Sequence, residues 1–429
     1  MTGILVKLPC PRFLLAALAL VLFFASPLSH AQNTDVATDA PGANLSVSLI
    51  TFGPGEEVWE RFGHNAIEIR DRSGSALLYN YGIFDFSQEN FFLNFARGLM
   101  TYRAAADDPA DELPVYVAEG RWIVRQVLNL TPAQREKLAG FLAWNVREEN
   151  AQYRYDYFRA NCSTRVRDAL DAALGGAIRA QTIAPSRGFT YRMDADRLMR
   201  PDPSVMLAID AGLGPYADRR LPYWDESFVP TELMRHLREI KVRDEAGNEI
   251  PLVANETLVA AARIAEPPEY APNWRWAALA IGIASALILL TLVRLRTRAW
   301  ARVAFASIAS VSSFMFGIAG VVLAGLWLLT DHVSAWRNEN LLLFNPLCLL
   351  LLPTWIGAFR RSWRPSRFAQ NLALAIALCA AFAWVAKILP GFVQDNWFWI
   401  ALLMPLHFAY ALATIAALHQ VRAAGLQAR

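Results

Sequence analysis

The C-terminal third of the chain carries long runs of apolar residues separated by short polar segments. The runs occupy residues 277–293, 303–329, 344–359, 368–387 and 397–418. Because a helix rises about 1.5 Å per residue, runs of this kind are of the length needed to cross the ~30 Å hydrocarbon core of a bilayer. The pattern predicts an α-helical transmembrane bundle of about five spans.

The N-terminal part shows shorter patterns, typical of an α+β domain. Strands are predicted at residues 45–52, 64–70, 76–81 and 121–130, and helices at residues 88–97 and 131–147. The second and third strands are joined by a short turn containing Gly74, which predicts a hairpin. In that hairpin His64 begins one strand and Asn80 lies late in the other, so antiparallel pairing can make these two residues neighbours.

A further helix is predicted to begin at or just after Cys162 and to end at Gly175-Gly176, a C-cap signal. Cys162, Val166 and Leu170 are spaced by four and share one helix face, so we expect the sulfur to point toward the sheet. The cysteine also lies in the first turn, where unpaired N–H groups and the helix dipole stabilise a thiolate. We therefore predict a thiol pKa lowered from its ordinary value of about 8.5 by the helix start and a nearby imidazole.

Changes in composition divide the chain into four predicted parts. They are a signal peptide at residues 1–31, a soluble domain at 32–265, a Pro-rich linker at 266–273 and a transmembrane domain at 274–429. The first part combines Lys7, an apolar run and Ser29-His30-Ala31, with small residues at the positions that a signal peptidase recognises. The soluble domain is therefore expected to be exported.

The loops between the apolar runs differ in charge. Arg294, Arg296, Arg298 and Arg302 lie between the first two runs, and Arg360, Arg361, Arg364 and Arg367 lie between the third and fourth. The opposite loops carry only Arg337 and, at a span end, Lys387. The positive-inside rule then predicts a soluble domain outside the cytoplasm and a cytoplasmic C-terminus, in agreement with a signal peptide.

Composition narrows the classes of function. Hydrophobic residues make up 55% of the 429 positions and the mean hydropathy is +0.24, values that favour a soluble domain combined with membrane helices. The net charge of +3 and the lack of a basic face interleaved with aromatic residues indicate no nucleic-acid partner. No acidic cluster or Cys/His spacing predicts a metal site, and nothing in the sequence indicates a cofactor.

The cysteine count singles out one thiol. Of the four cysteines, Cys10 precedes the predicted signal cleavage site, and Cys348 and Cys379 lie in apolar runs. Cys162 is then the single cysteine of the soluble domain, in a compartment that favours disulfides. An unpaired cysteine there indicates a reactive thiol, although a buried free cysteine acting as a small hydrophobe is the alternative.

A thiol nucleophile needs a base within hydrogen-bonding reach and a third group that orients the base. The soluble domain contains His64, at a strand start, and His236, in an arginine-flanked helix typical of a solvated face. We therefore interpret His64 as the base and His236 as structural. Asn80 is the expected orienting residue and Asp85 the alternative, while backbone N–H groups at the start of the Cys162 helix are candidate oxyanion donors.

The order of histidine, polar orienting residue and then cysteine at a helix start resembles circularly permuted papain-like domains of the NlpC/P60 type. Four blocks are similar to the Lnb-type bacterial lipoprotein N-acyltransferase family. They are Phe62-Gly63-His64-Asn65-Ala66, Tyr79 to Phe86 (YNYGIFDF), Asn161 to Asp168 (NCSTRVRD) and His332 to Pro346. The blocks cover both the soluble domain and the membrane part.

This resemblance implies transfer of an acyl chain from a phospholipid to the α-amine of a lipoprotein's N-terminal cysteine, through a thioester on the enzyme. It implies that Cys162 is the nucleophile and His64 the base, in a periplasmic domain on the bacterial inner membrane. Both proposed partners, a phospholipid donor and a lipoprotein acceptor, lie at the membrane surface.

The outer loop between the second and third runs is a second candidate site. Asn338 and Asn340 match the membrane motif of the family, and His332 lies in the same loop, so a part in substrate binding is expected for all three. An ordinary solvated loop is the alternative. For the whole chain, a membrane-tethered peptidoglycan amidase or peptidase and a non-enzymatic membrane assembly protein remain alternatives, because fold alone does not decide function.

Overall fold

An antiparallel sheet organises the first half of the chain in the computed structural model, which describes residues 40–84 and 88–427. Its strands are β1 (Leu45–Phe52), β2 (His64–Asp71), β3 (Ala76–Ile83), β4 (Thr101–Asp107), β5 (Ile123–Leu128), β6 (Gln152–Arg154) and β9 (Val253–Ala260). Their order is β6-β4-β3-β2-β1-β5-β9, and every neighbouring pair is antiparallel. β7 (Lys241–Arg243) and β8 (Glu249–Pro251) form a separate hairpin.

The four predicted strands are present, and the predicted α+β class is confirmed. Sequence analysis missed β4, β6 and β9. The register explains how the hairpin brings polar side chains together, because His64 lies opposite Phe52 and Asn80 lies opposite Ala66. The predicted signal peptide and Asp85 lie outside the described residues.

Helices surround the sheet and connect its strands. In the soluble domain they are α1 (Phe91–Arg97), α2 (Pro109–Ala118), α3 (Pro132–Asn145), α4 (Glu148–Ala151), α5 (Cys162–Ala173), α6 (Ala177–Thr182), α7 (Tyr191–Met199), α8 (Pro203–Gly212), α9 (Tyr223–Glu226) and α10 (Pro230–Leu237). Short 3-10 turns occur at Val58–Glu60 and Pro215–Asp218.

The helix that begins at Cys162 packs on the sheet as its spacing predicts. Val166 and Leu170 have no exposed surface and belong to one core cluster with Leu49 and Ile67 of the central strands. Burial of each such aliphatic side chain stabilises the fold by about 1.5–3 kcal/mol. The same face carries Cys162, which packs against this cluster at the first turn.

Five segments of the C-terminal half are long and apolar enough to cross a membrane: Arg275–Arg294, Ala299–Leu329, Glu339–Gly357, Arg367–Ile388 and Trp397–Ala417. The helices within them are α11 (Arg275–Arg294), α12 (Ala299–Leu329), α13 (Leu352–Gly357), α14 (Arg367–Val385) and α15 (Trp397–Gln427). The third segment is not one continuous α-helix, because 3-10 turns at Glu339–Leu342 and Pro346–Leu351 precede α13. Further 3-10 turns lie at Val333–Ala335 and Ala386–Ile388.

Buried amide side chains join the soluble domain to the membrane part. Asn338 donates to the Ala211 and Gly212 carbonyls at 2.9 Å each, and Asn340 donates to the Ala211 carbonyl at 3.0 Å. Asn396, at the start of α15, donates to the Asn340 side-chain oxygen at 2.9 Å. These bonds satisfy carbonyls at the C-terminal end of α8, which would otherwise lack helical partners. They hold the soluble domain against the loop between the second and third spans.

We expect Asn340→Ala to lower the free energy of unfolding by about 1–3 kcal/mol, because the buried Asn396 amide loses its acceptor. Thermal unfolding of the purified protein in detergent measures this. Asn255→Ala is the control, since that exposed side chain makes a single 3.4 Å bond to Thr257. Equal melting temperatures for the two variants would contradict the assigned role of the amide cluster.

Candidate active site

His64 and Asn80 meet at the open end of the β2–β3 hairpin. The His64 Nε2 atom lies 2.9 Å from Asn80 Oδ1, and Asn80 Nδ2 donates to Glu112 Oε2 of α2 at 2.7 Å. A carboxylate only accepts hydrogen bonds, so the Asn80 amide nitrogen faces Glu112 and its oxygen faces the imidazole. The proton of the neutral ring is therefore on Nε2, and Nδ1 keeps its lone pair.

Aromatic rings and one guanidinium enclose the imidazole. The Tyr116 ring is nearly parallel to that of His64, with centroids 6.3 Å apart and an angle of 9°, and Phe52 lies 5.7 Å away. The Arg121 guanidinium lies 4.5 Å from the Tyr116 centroid and donates to the Gly53 carbonyl. Burial lowers the pKa of His64 to about 4; the Asn80 hydrogen bond opposes this change and the positive charge of Arg121 adds to it.

Cys162 occupies the first position of α5, where side chains fix the start of the helix. Asn161 caps it by accepting from Thr164 N–H at 2.9 Å, and Thr164 Oγ1 accepts from Asn161 N–H at 2.8 Å, a reciprocal capping box. The Asn161 amide also donates to the Phe228 carbonyl at 2.9 Å. The thiol is therefore held at a rigid helix terminus.

Burial raises the pKa of the Cys162 thiol, and the backbone N–H groups of Asn65, Ser163 and Cys162 itself oppose that rise. The prediction of a lowered pKa is wrong, because the loss of hydration outweighs the helix start. The side chain is only partly exposed. Asn65 directly follows His64, so the histidine strand itself supplies a donor to the sulfur.

The space beside the sulfur depends on Gly82 and Tyr153. Gly82 has φ +91°, and a Cβ atom at this position would lie 3.6 Å from Cys162 Cβ and 4.0 Å from the Tyr153 hydroxyl. Tyr153 is 8% exposed, and its hydroxyl donates to no acceptor within hydrogen-bonding distance in residues 40–84 and 88–427, although the Gly82 backbone N–H interacts with its oxygen. A buried donor is thus available near the thiol.

A cleft of about 460 Å³ runs between the soluble domain and the loop that joins the second and third spans. It is lined by Gly98, Met100, Arg154, Tyr155, Asp156, Tyr157, Arg159, Ala160, Asp331, His332, Val333 and Ser334. Ala160 lies two residues before Cys162. Burial raises the pKa of Tyr155, and the nearby Cys162 thiolate would raise it further. Cys162 and His64 are not among the lining residues, so the cleft reaches the segment that leads into α5, and the membrane loop forms one of its walls.

The three predicted loop residues lie in different surroundings. His332 lines the cleft and stacks on Tyr157 with centroids 5.9 Å apart. Asn338 and Asn340 are buried and bonded to α8, so their predicted part in substrate binding stays a prediction that this geometry does not support. A direct position in the cleft belongs to His332 alone among the three.

His236 is buried, with 7% of its surface exposed, and is not on a solvated face as the sequence suggested. Its Nε2 atom lies 3.2 Å from Glu226 Oε2, and its ring stacks on Tyr223 with centroids 4.2 Å apart. These contacts agree with the structural role assigned to it.

Sequence analysis missed Glu112, Tyr116, Arg121 and Tyr153. The pair Asp108-Pro109 is a helix-start signal, and Asp108 does cap α2 by accepting from Ala110 N–H. That signal could have revealed the helix. It could not have shown that the Glu112 side chain reaches Asn80, because only the packing of α2 on the sheet decides this.

Two regions of the chain match known protein-family domains. Residues 33–193 match the Lnb N-terminal periplasmic domain, and residues 277–417 match the Lnb transmembrane domain. The chain belongs to the Lnb family. Its membrane helices and periplasmic domain match both halves of the Lnb architecture, and membership indicates an enzyme of lipoprotein processing.

No curated protein and no solved structure matched the chain. The relation to circularly permuted NlpC/P60 domains stays a prediction. Within the Lnb chain, His64, Asn80 and Cys162 lie in the first matched region and His332 lies in the second, while His236 and Glu226 lie between the two.

We expect Cys162 and His64 to rest as a neutral thiol and a neutral imidazole. The imidazole stays unprotonated down to about pH 4, and burial raises the pKa of the thiol. Alkylation of Cys162 by iodoacetamide should therefore be slow at pH 6 and increase with pH through and above the ordinary thiol range. A rate already maximal at pH 6 would contradict this, since it would indicate a preformed thiolate.

Proposed function

We propose that this Lnb protein is a lipoprotein N-acyltransferase that carries the acyl chain on Cys162 as a thioester. One observation supports this most directly. The His64 imidazole has a free lone pair on Nδ1. The next residue of the same strand, Asn65, donates its backbone N–H toward the Cys162 sulfur at the start of α5. The cleft that reaches the segment before Cys162 has a membrane loop as one wall, which suits a lipid substrate.

In the first half-reaction His64 Nδ1 accepts the Cys162 proton while the sulfur attacks the ester carbonyl of a phospholipid. The carbon–sulfur bond forms, the bond from the carbonyl carbon to the glycerol oxygen breaks, and His64 returns the proton to that oxygen. A lysophospholipid leaves. The low pKa of His64 keeps the imidazole unprotonated at physiological pH but also makes it a weak base, so the proton moves as the sulfur attacks and not before.

In the second half-reaction the α-amine of a lipoprotein's N-terminal cysteine attacks the thioester. The amide bond forms, the carbon–sulfur bond breaks, and the proton released by the amine passes through His64 to the departing sulfur. This regenerates the thiol. The two half-reactions share one nucleophile and one base, so one cleft serves donor and acceptor in turn.

Negative charge develops on the carbonyl oxygen in both half-reactions and needs hydrogen-bond donors placed in advance. Candidates are the N–H groups at the start of α5 and the hydroxyl of Tyr153, which donates to no acceptor among the described residues. The buried position strengthens these bonds relative to water. It also explains why a thiol that is not ionised at rest can still be reactive.

Tethering to the membrane supplies substrate at high effective concentration. The proposed arrangement places the catalytic domain, residues 32–265 after signal cleavage, on the periplasmic face of the inner membrane and the C-terminus in the cytoplasm. Residues 266–273 then act as the linker to the spans. A peptidoglycan amidase would not need a cleft walled by a membrane loop.

We expect Cys162→Ala and His64→Ala each to abolish N-acylation while the protein still accumulates in the membrane. Expression in cells depleted of their own lipoprotein N-acyltransferase, followed by mass spectrometry of lipoprotein N-termini, measures the added acyl chain. Cys379→Ala, which changes a free cysteine in a membrane helix, is the matched control and should keep activity. Acylation retained in either active-site variant would refute the mechanism, and altered peptidoglycan fragments without acylation would favour an amidase.

We expect Glu112→Gln to slow thioester formation by about 10- to 100-fold, a part of the 10²- to 10⁴-fold that a positioned base supplies. Glutamine lets the Asn80 amide flip, so the imidazole loses its fixed tautomer. Single-turnover acylation should show a lower maximal rate at unchanged half-saturating lipid. Glu149→Gln on the exposed face of α4 is the control, and equal rates for the two variants would exclude Glu112 as a positioning residue.

A further inference from the structure

The outer end of α12 marks the level of the membrane surface. Its sequence stays apolar to Leu328 and Leu329, whose side chains are 71% and 78% exposed, and then changes to Thr330 and Asp331. Large apolar side chains exposed at the end of a membrane helix belong in lipid, and the polar residues that follow belong at the interface. Asp331 and His332 therefore lie at the level of the lipid headgroups.

The short helix α1 is attached at this same level. Asp331 N–H donates to the Arg97 carbonyl at 2.8 Å, and His332 Nε2 lies 3.0 Å from the Phe95 carbonyl. Gly98 follows α1 in the left-handed region with φ +76°, and a Cβ there would lie 2.9 Å from the backbone of Asp331 and His332. This close approach fixes the C-terminal turn of α1 against the membrane surface.

α1 exposes two large apolar side chains, which lie on different sides of the helix because they are two residues apart. Leu93 is 55% exposed and Phe95 is 42% exposed. Apolar surface on a helix held at the headgroup level is stabilised by insertion into the boundary between headgroups and acyl chains. Because α1 is held at this level, we expect its exposed apolar side chains to contact lipid.

The cleft extends from the end of this helix to the segment that precedes Cys162. Gly98, directly after α1, lines it together with Tyr155 and Ala160, which lie near Cys162. Its charged groups include Arg154, paired with Asp331 at 2.9 Å, and Arg159, paired with Asp156 at 2.7 Å. Guanidinium groups at the cleft suit a phosphate headgroup.

We propose that α1 inserts Leu93 and Phe95 into the periplasmic leaflet and forms, with the cleft, the path by which the donor phospholipid reaches Cys162. This rests on the proposed acyltransferase function and deepens it, since it assigns where the lipid leaves the bilayer. Acyl chains pack against α1, and the phosphate group lies near Arg154 and Arg159.

Photo-crosslinking tests the position of α1 without depending on activity. p-Benzoyl-phenylalanine is placed at Leu93 or at Phe95 in the full-length chain, reconstituted in vesicles of phosphatidylethanolamine and phosphatidylglycerol. Illumination should add the mass of a phospholipid at either position. Ile183, 46% exposed at the C-terminal end of α6, is the control position and should give no lipid adduct.

A second variant tests whether the surface serves the reaction. The double substitution Leu93→Glu and Phe95→Glu should reduce acyl transfer from vesicle phospholipid at least tenfold, while iodoacetamide still alkylates Cys162 and reports an intact site. Ile183→Glu should transfer at the rate of the unchanged protein.

The outcomes separate the two proposals. N-acylation with no lipid adduct at Leu93 or Phe95 would overturn the lipid path and leave the acyltransferase function standing. Lipid adducts in a protein that never acylates lipoproteins would support insertion of α1 and refute the proposed function. Full transfer by the double glutamate variant would overturn the path even if adducts form.

Discussion

The candidate site depends on one constraint, the burial of a thiol and an imidazole. They lie where the start of one helix contacts the start of one strand. Removing both groups from water disfavours their charged forms, so the pKa of His64 is lowered to about 4 and that of Cys162 is raised. The site therefore differs from one with a preformed thiolate and imidazolium. Proton transfer has to accompany attack on the substrate, which makes the orientation of the imidazole decisive.

That orientation is set by a chain of hydrogen bonds. Glu112 orients Asn80, and Asn80 orients His64. Each step restricts the next because a carboxylate can only accept and an amide has distinct donor and acceptor ends. The chain connects α2 to the hairpin, so a residue on a helix determines which ring nitrogen of a strand residue is free. Arg121 contributes a positive charge that opposes protonation of the imidazole.

The junction between the soluble domain and the membrane part determines which substrates can reach this site. Asn338 and Asn340 fix α8 to the outer loop, and the backbone of Asp331 fixes the end of α1. Amide-to-carbonyl bonds in a buried site are costly to leave unmade, so the loop is held in one position. The cleft between loop and domain consequently lies at the membrane surface. The proposed acyltransferase would combine a thiol site in a soluble domain with access to lipid in this way.

The local features of this protein follow directly from patterns in its sequence. The period of apolar positions predicted five spans and the hairpin, and the spacing from Cys162 to Leu170 predicted the buried helix face, because these patterns follow from backbone geometry alone. Antiparallel pairing then sufficed to place Asn80 beside His64.

The surroundings of the thiol depend on how distant parts of the chain pack together. Glu112, Arg121 and Tyr153 come from three different elements, and their distances to the site depend on strand order and helix packing. The same holds for the pKa of Cys162, where a local rule favoured a thiolate and burial reversed the outcome. Hydration is lost only when distant parts of the chain cover a group, and no local pattern in the sequence records that.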